Sequence, residues 1–350
     1  MSACDGNWPS VATPPPADRV VLVPCSASSA RQWKALAEQL SGFHPLPLDL
    51  WGHGNQDRWH GAGPLSLAEE AAAIHAACPD GMPFHLIGHS YGGGVALRFA
   101  LSHPQRLRSL TLIEPSSFHI LKDAQGTDAH LLDEIRAVAT AVNHGVTCGD
   151  YASGMQTFID YWAGADSWAS LSADKKAQFA HSAVHVGHHF WSLIEEKTPL
   201  RAYAAIDVPT LVLCGTRSPA PSRAITRLLA ESLPRSRHRT IRNAGHMSPI
   251  THPAEVNALV LEHLLMNRAT RLAARSVPLL RFAAPGAAEA ATRDTDTQKA
   301  PNLIAGAGPL HDKPRQMSAG RIGSAGALAP HTSQDLAPAG MVRPNWKSVT

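Results

Sequence analysis

Aromatic residues make up only 6% of this 350-residue chain and charged residues only 17%. No charge-free apolar run reaches 18 residues, so no transmembrane span is expected. Met1 to Pro16 has neither a basic start nor an apolar stretch, and it does not read as a signal peptide. Cysteine is scarce and scattered, at Cys4, Cys25, Cys78, Cys148 and Cys214. No pair has C-x-x-C spacing, which argues against a zinc ribbon or a thioredoxin-like redox pair. An odd set of free thiols suits a reducing compartment, and a cytoplasmic location is expected. Residues 281–350 hold 8 Lys/Arg and 5 Asp/Glu, which leaves 23 of each sign in residues 1–280. A body without net charge or a basic stripe cannot release the counterions on which nucleic-acid binding depends. A phosphate-binding loop and H-E-x-x-H are also missing.

What is present is an alternation of strand and helix patterns, together with 44% hydrophobic residues for a core. Strands are predicted over Val20–Val23, Phe43–Asp49, Phe84–Gly88 and Leu110–Glu114, with helices over Trp33–Leu40, Leu67–Ala77 and Val95–Ser102. Residues 116–205 break the alternation and read as helical pieces rich in aromatics and histidine. It resumes with strands at Pro209–Cys214 and Arg237–Ile241 and helices at Ala224–Leu233 and Ala254–Met266. The expected class is α/β, a mostly parallel sheet with helices on both faces, split in sequence by a helical cap. The expected division is a flexible segment 1–17, a core of 18–115 and 206–267, a cap of 116–205 and a tail of 268–350. Within 281–350, Ala, Pro and Gly occupy 29 of 70 positions and only nine residues are Leu, Ile, Val or Phe. That composition predicts a disordered tail whose deletion preserves fold and activity.

Gly88-His89-Ser90-Tyr91-Gly92 lies between a predicted strand and a predicted helix. In that setting G-x-S-x-G is a nucleophile turn: the serine sits in strained backbone geometry and its neighbours must lack bulk. A hydroxyl nucleophile needs a base from elsewhere in the chain. Of the 20 histidines, His246 in Asn243-Ala244-Gly245-His246-Met247 follows a late strand, and so falls at the same sheet edge as Ser90. His181, His185, His188 and His189 are spaced as one face of a helix, and a solvated or pocket-facing helix explains them better than a metal site.

The order of nucleophile, helical insertion and late histidine resembles the α/β-hydrolase fold family over residues 19–267. Asp49-Leu50-Trp51-Gly52-His53-Gly54 is similar to that family's D-x-x-G-x-G loop. The resemblance implies a Ser-acid-His triad and an oxyanion hole of backbone N–H groups. The usual acid position is occupied by Ser218 in Gly215-Thr216-Arg217-Ser218. Glu114, at the end of the neighbouring predicted strand, is the expected acid, because certain dehalogenases of the family place theirs at this position. Asp207 is the alternative. Ser26 and Tyr91 are the expected oxyanion donors, with Cys25 a weak alternative nucleophile. Phe118, Phe158, Trp162 and Trp191 are the expected pocket walls, joined by Met155, Tyr161 and Phe190 where these do not hold the cap in place. The resemblance therefore implies a serine hydrolase acting on a small, moderately hydrophobic carboxylic ester or related acyl substrate, with no metal and no cofactor. A carbon–carbon bond hydrolase with the same triad, a perhydrolase side activity and a ligand receptor on a hydrolase scaffold are the alternatives.

Overall fold

A computed structural model describes residues 18–275, apart from 55, 57, 58, 62 and 124–127. The lead-in of residues 1–17 and the tail beyond 275 lie outside the described residues.

Six strands form one parallel sheet in the order β2-β1-β3-β4-β5-β6. They are β1 (Asp18–Val23), β2 (Phe43–Pro47), β3 (Phe84–His89), β4 (Leu107–Ile113), β5 (Thr210–Gly215) and β6 (Ser236–Ile241). β2 is an edge strand, which is where Pro45 and Pro47 can sit without removing a donor from a ladder. Alternate residues of the central strands enter different cores. Val21, Val23, Leu86, Leu110, Leu112 and Val212 pack on one face. Val20, Leu22, Ile87, Ile113, Leu211 and Leu213 pack on the other. Both faces are therefore apolar, as a parallel sheet covered by crossover helices requires.

Helices α2 (Leu67–Ala77), α3 (Tyr91–Ser102), α8 (Ala220–Ser232) and α10 (Pro253–Arg275) flank the sheet, the one-turn α9 (Ser248–Thr251) leading into α10. α2 starts at Leu67 because Ser66 and Glu69 form a reciprocal capping box. α10 buries Val256, Val260 and Leu264, a stripe at four-residue spacing, against the second core. The helix runs to Arg275, so the expected core boundary at 267 falls inside it. The helix expected over Trp33–Leu40 is a 3₁₀ turn, Ala30–Trp33, followed by the short α1 (Lys34–Ala37).

Between β4 and β5 the chain forms α4 (Leu131–Cys148), α5 (Tyr151–Ala163), α6 (Ala173–His181) and α7 (Ala183–Glu195). Gly149, in left-handed geometry at φ 73°, ends α4, and the Asp150 side chain caps α5 one residue later. Among the described residues no helix is long and apolar enough to cross a membrane.

Candidate active site

Because every strand is parallel, the segments after β1, β3, β4, β5 and β6 emerge at one sheet edge, the usual ligand edge of open α/β sheets. Ser90 occupies the turn from β3 into α3 with φ 55° and ψ −118°, a strained conformation for a residue with a side chain. The flanking glycines are needed for close approach. A Cβ on Gly88 would lie 2.2 Å from the Gly92 carbonyl oxygen, and one on Gly92 would lie 2.4 Å from that of Val23.

Ser90 Oγ is 2.9 Å from His246 Nε2, and His246 Nδ1 is 3.3 Å from Glu114 Oε2. Ser90, His246 and Glu114 are 7%, 2% and 0% exposed, so these contacts are shielded from bulk solvent. Glu114 directly follows β4 and takes φ 49°, the left-handed region, which turns its carboxylate toward β5. There Ser218 Oγ donates to Glu114 Oε1 at 2.6 Å, and the Gly215 N–H donates to the same oxygen. The residue at the family's usual acid position is thus a donor that anchors a carboxylate supplied by the neighbouring strand. The sequence showed the missing carboxylate at 218 but not this supporting role. Asp207 lies elsewhere: its side chain is 79% exposed, with Arg235 at 3.8 Å.

Tyr91 is the first residue of α3, so its N–H has no intrahelical acceptor. The N–H groups on either side of Ser26 are engaged, that of Cys25 with Gln32 Oε1 and that of Ala27 with His53 Nε2. No acceptor occupies the Ser26 N–H among the described residues. Cys25 is buried and its thiol is pushed up to about 12 by desolvation, which keeps it protonated and a poor nucleophile. Ser116, which sequence reasoning passed over, places its Oγ 3.2 Å from Ser90 Oγ.

A cavity of about 20 Å³ adjoins Ser90, walled by Ser26, Phe158, Ile159, Trp162, Phe179 and Met247. A smaller one of about 10 Å³ adds Ser116, Phe118, His189 and Phe190. On the far side of His246 lies a larger cavity of about 250 Å³, bordered by Tyr161, Gly164, Asn243 and His252. Trp162 lines all three, its ring centroid 4.2 Å from that of His246. Phe118, Phe158 and Trp162 line these cavities. Trp191 does not: it is 44% exposed. Trp191 lies seven residues after the exposed Val184, on the outward side of α7, whereas Phe190 faces inward. Met155 is fully buried in the core.

The four histidines do not share one helix. α6 ends at His181 and α7 begins at Ala183. His189 stacks on the Tyr91 ring at 3.6 Å and meets Ser26 Oγ at 2.9 Å. Burial, reinforced by His53 and His185, holds it well below the usual imidazole range, so it is neutral. Among the described residues no group of three His, Cys, Asp or Glu side chains has metal-binding geometry.

Similarity to characterised proteins agrees with this architecture. The chain is 25% identical over 247 residues to a pimeloyl-[acyl-carrier protein] methyl ester esterase of Photorhabdus laumondii, spanning 67% of this chain and 87% of that one. Among solved structures it is similar to MenH from S. aureus, with a TM-score of 0.57, 18% identity and coverage of 73% and 96%. The enol-lactonase of Burkholderia xenovorans LB400 gives a TM-score of 0.55 and 20% identity, with coverage of 72% and 92%. The sequence profile of the alpha/beta hydrolase fold matches residues 18–253. With a parallel sheet, a strand–Ser90–helix turn and that match over most of its length, the chain belongs to the alpha/beta hydrolase fold family.

Proposed function

We propose that the protein is a serine hydrolase that cleaves a small, moderately hydrophobic carboxylic ester through a Ser90–His246–Glu114 triad. The observation that carries this reading is the unbroken chain Ser90 Oγ, His246 Nε2, His246 Nδ1, Glu114 Oε2, at 2.9 and 3.3 Å, beside an apolar-walled cavity. His246 takes the Ser90 proton as Oγ attacks the ester carbonyl, and returns it to the departing alkoxide. Glu114 holds the imidazole in the tautomer that accepts at Nε2 and stabilises the imidazolium. The N–H groups of Ser26 and Tyr91 receive the oxyanion. Water activated by His246 then releases the acid, and no cofactor takes part. Helices α4–α7 act as the cap that walls the acyl group, and the methyl ester esterase among the relatives supports the substrate class. The free cysteines among the described residues suit a cytoplasmic setting.

The test is a rapid-mixing experiment with p-nitrophenyl esters from acetate to octanoate. A burst of one p-nitrophenol per site, with an acyl adduct mapped to the Ser90 peptide, is expected. No burst and no adduct with any of these esters would overturn the ester reading.

Cavity size makes a further demand. The cavity beside Ser90 is small, about 20 Å³, so the shorter acyl chains of the series are expected to be preferred. Trp162 partitions this space from the larger cavity. Trp162→Ala is expected to move the optimum toward octanoate and to raise kcat/KM for that ester about 10- to 100-fold. An unchanged chain-length profile would show that another residue sets the limit.

A further inference from the structure

Two buried side chains unused by this scheme, Gln32 and His89, join the two ends of the site. The Cys25 N–H donates to Gln32 Oε1 at 3.1 Å. Gln32 Nε2 lies 3.0 Å from His89 Nδ1, and His89 Nε2 lies 2.9 Å from the His246 carbonyl oxygen. A carbonyl only accepts, so His89 carries its proton on Nε2, and its Nδ1 accepts from the Gln32 amide. Every donor direction along the chain is thereby set, and no charge is involved. Burial and the nearby His246 push His89 down to about 3, so the ring stays neutral across the physiological range.

We propose that Gln32 and His89 are positioning residues that set the oxyanion donors and the histidine base in register. They do so by tying the Cys25–Ser26 segment after β1 to the His246 segment after β6. The inference rests on the hydrolase reading above. Three strands separate β1 from β6 in the sheet, so the two segments have no common strand to hold them in register. A displacement of about 1 Å at a catalytic group costs roughly 10²-fold in rate, so the link between them has a kinetic consequence. His89 can serve as the bridge because it ends β3, the neighbour of β1, beside the nucleophile.

The competing account is a buried polar cluster satisfied only for stability. Gln32→Leu, His89→Leu, the double variant and His89→Gln separate the two, using kcat and KM for p-nitrophenyl acetate per titrated site and the melting temperature. Each leucine variant is expected to lower kcat about 10- to 100-fold, with KM within about twofold. The double variant should be no worse than the weaker single one, because the chain is already broken. His89→Gln, whose amide can still donate to the His246 carbonyl and accept from Gln32, should recover most of the lost kcat. Gln32→Leu and His89→Gln carry the test by themselves if His89→Leu does not fold. A lower melting temperature with unchanged kcat per site overturns the inference, as do additive losses without rescue. Wild-type turnover with unaffected variants removes this inference alone. Absence of Ser90-dependent turnover in the wild type removes the hydrolase reading and this inference with it.

Discussion

Ser90→Ala is expected to lower kcat for p-nitrophenyl esters by about 10⁶-fold, the scale of removing the nucleophile from a serine hydrolase. That corresponds to about 8 kcal/mol of barrier. The effect is large because the substitution removes covalent chemistry altogether while leaving the oxyanion donors in place. Stability should change little. His246 Nε2 and Ser116 Oγ each lose one hydrogen-bond partner, and the turn keeps its backbone geometry. Steady-state assays with a melting curve on the same preparation check both halves. A loss of less than about 10³-fold would place the nucleophile elsewhere, since without the attacking group only the roughly 10³- to 10⁴-fold advantage over water supplied by the oxyanion hole and binding remains. Cys25 borders the same cavity but is an unsuitable substitute, because its buried thiol stays protonated.

Glu114→Gln should cost about 10⁴-fold in kcat, by tautomer control. Ser218 Oγ and the Gly215 N–H are both donors aimed at Glu114 Oε1, so the glutamine must present its oxygen there. Its NH₂ then faces His246 Nδ1, where a donor meets a donor. The imidazole is forced to carry its proton on Nε2, the nitrogen that must accept from Ser90. Adding Ser218→Asp to this variant returns a carboxylate to the adjacent strand end, and should recover about 10- to 100-fold of the lost rate. Asp207→Asn should leave kcat unchanged, because that side chain is exposed and lies beside Arg235. The reverse pattern, a large loss at Asp207 and a small one at Glu114, would overturn the triad.

How far these residues could be read from sequence follows from the range of the interactions involved. Ser90 was legible because its turn is local: a strand, two close-packed glycines and a helix lie within a few residues of one another. His246 was legible because strand order in a parallel α/β chain sends late loops to the sheet edge where Ser90 lies. Helix α3 was harder to delimit. It begins at Tyr91 rather than Val95, because three glycines that are poor helix formers lie in its first turn, where the close approach to the Val23 carbonyl demands one of them. Trp191 was misplaced because composition marks an aromatic residue but not the rotation of its helix.

The sequence by itself determined the α/β alternation, the strand–Ser90–helix turn, the late histidine and the absence of a carboxylate at position 218, all carried by local periodicity or short motifs. Only the tertiary structure decided that Glu114 reaches His246, that Ser218 supports it, that Trp162 rather than Trp191 borders the cavities, and that Gln32 and His89 join the two ends of the site. Those relations depend on which strands are neighbours and on side chains meeting across 57 to 157 positions of chain. Such distances close only when the sheet has formed and packed.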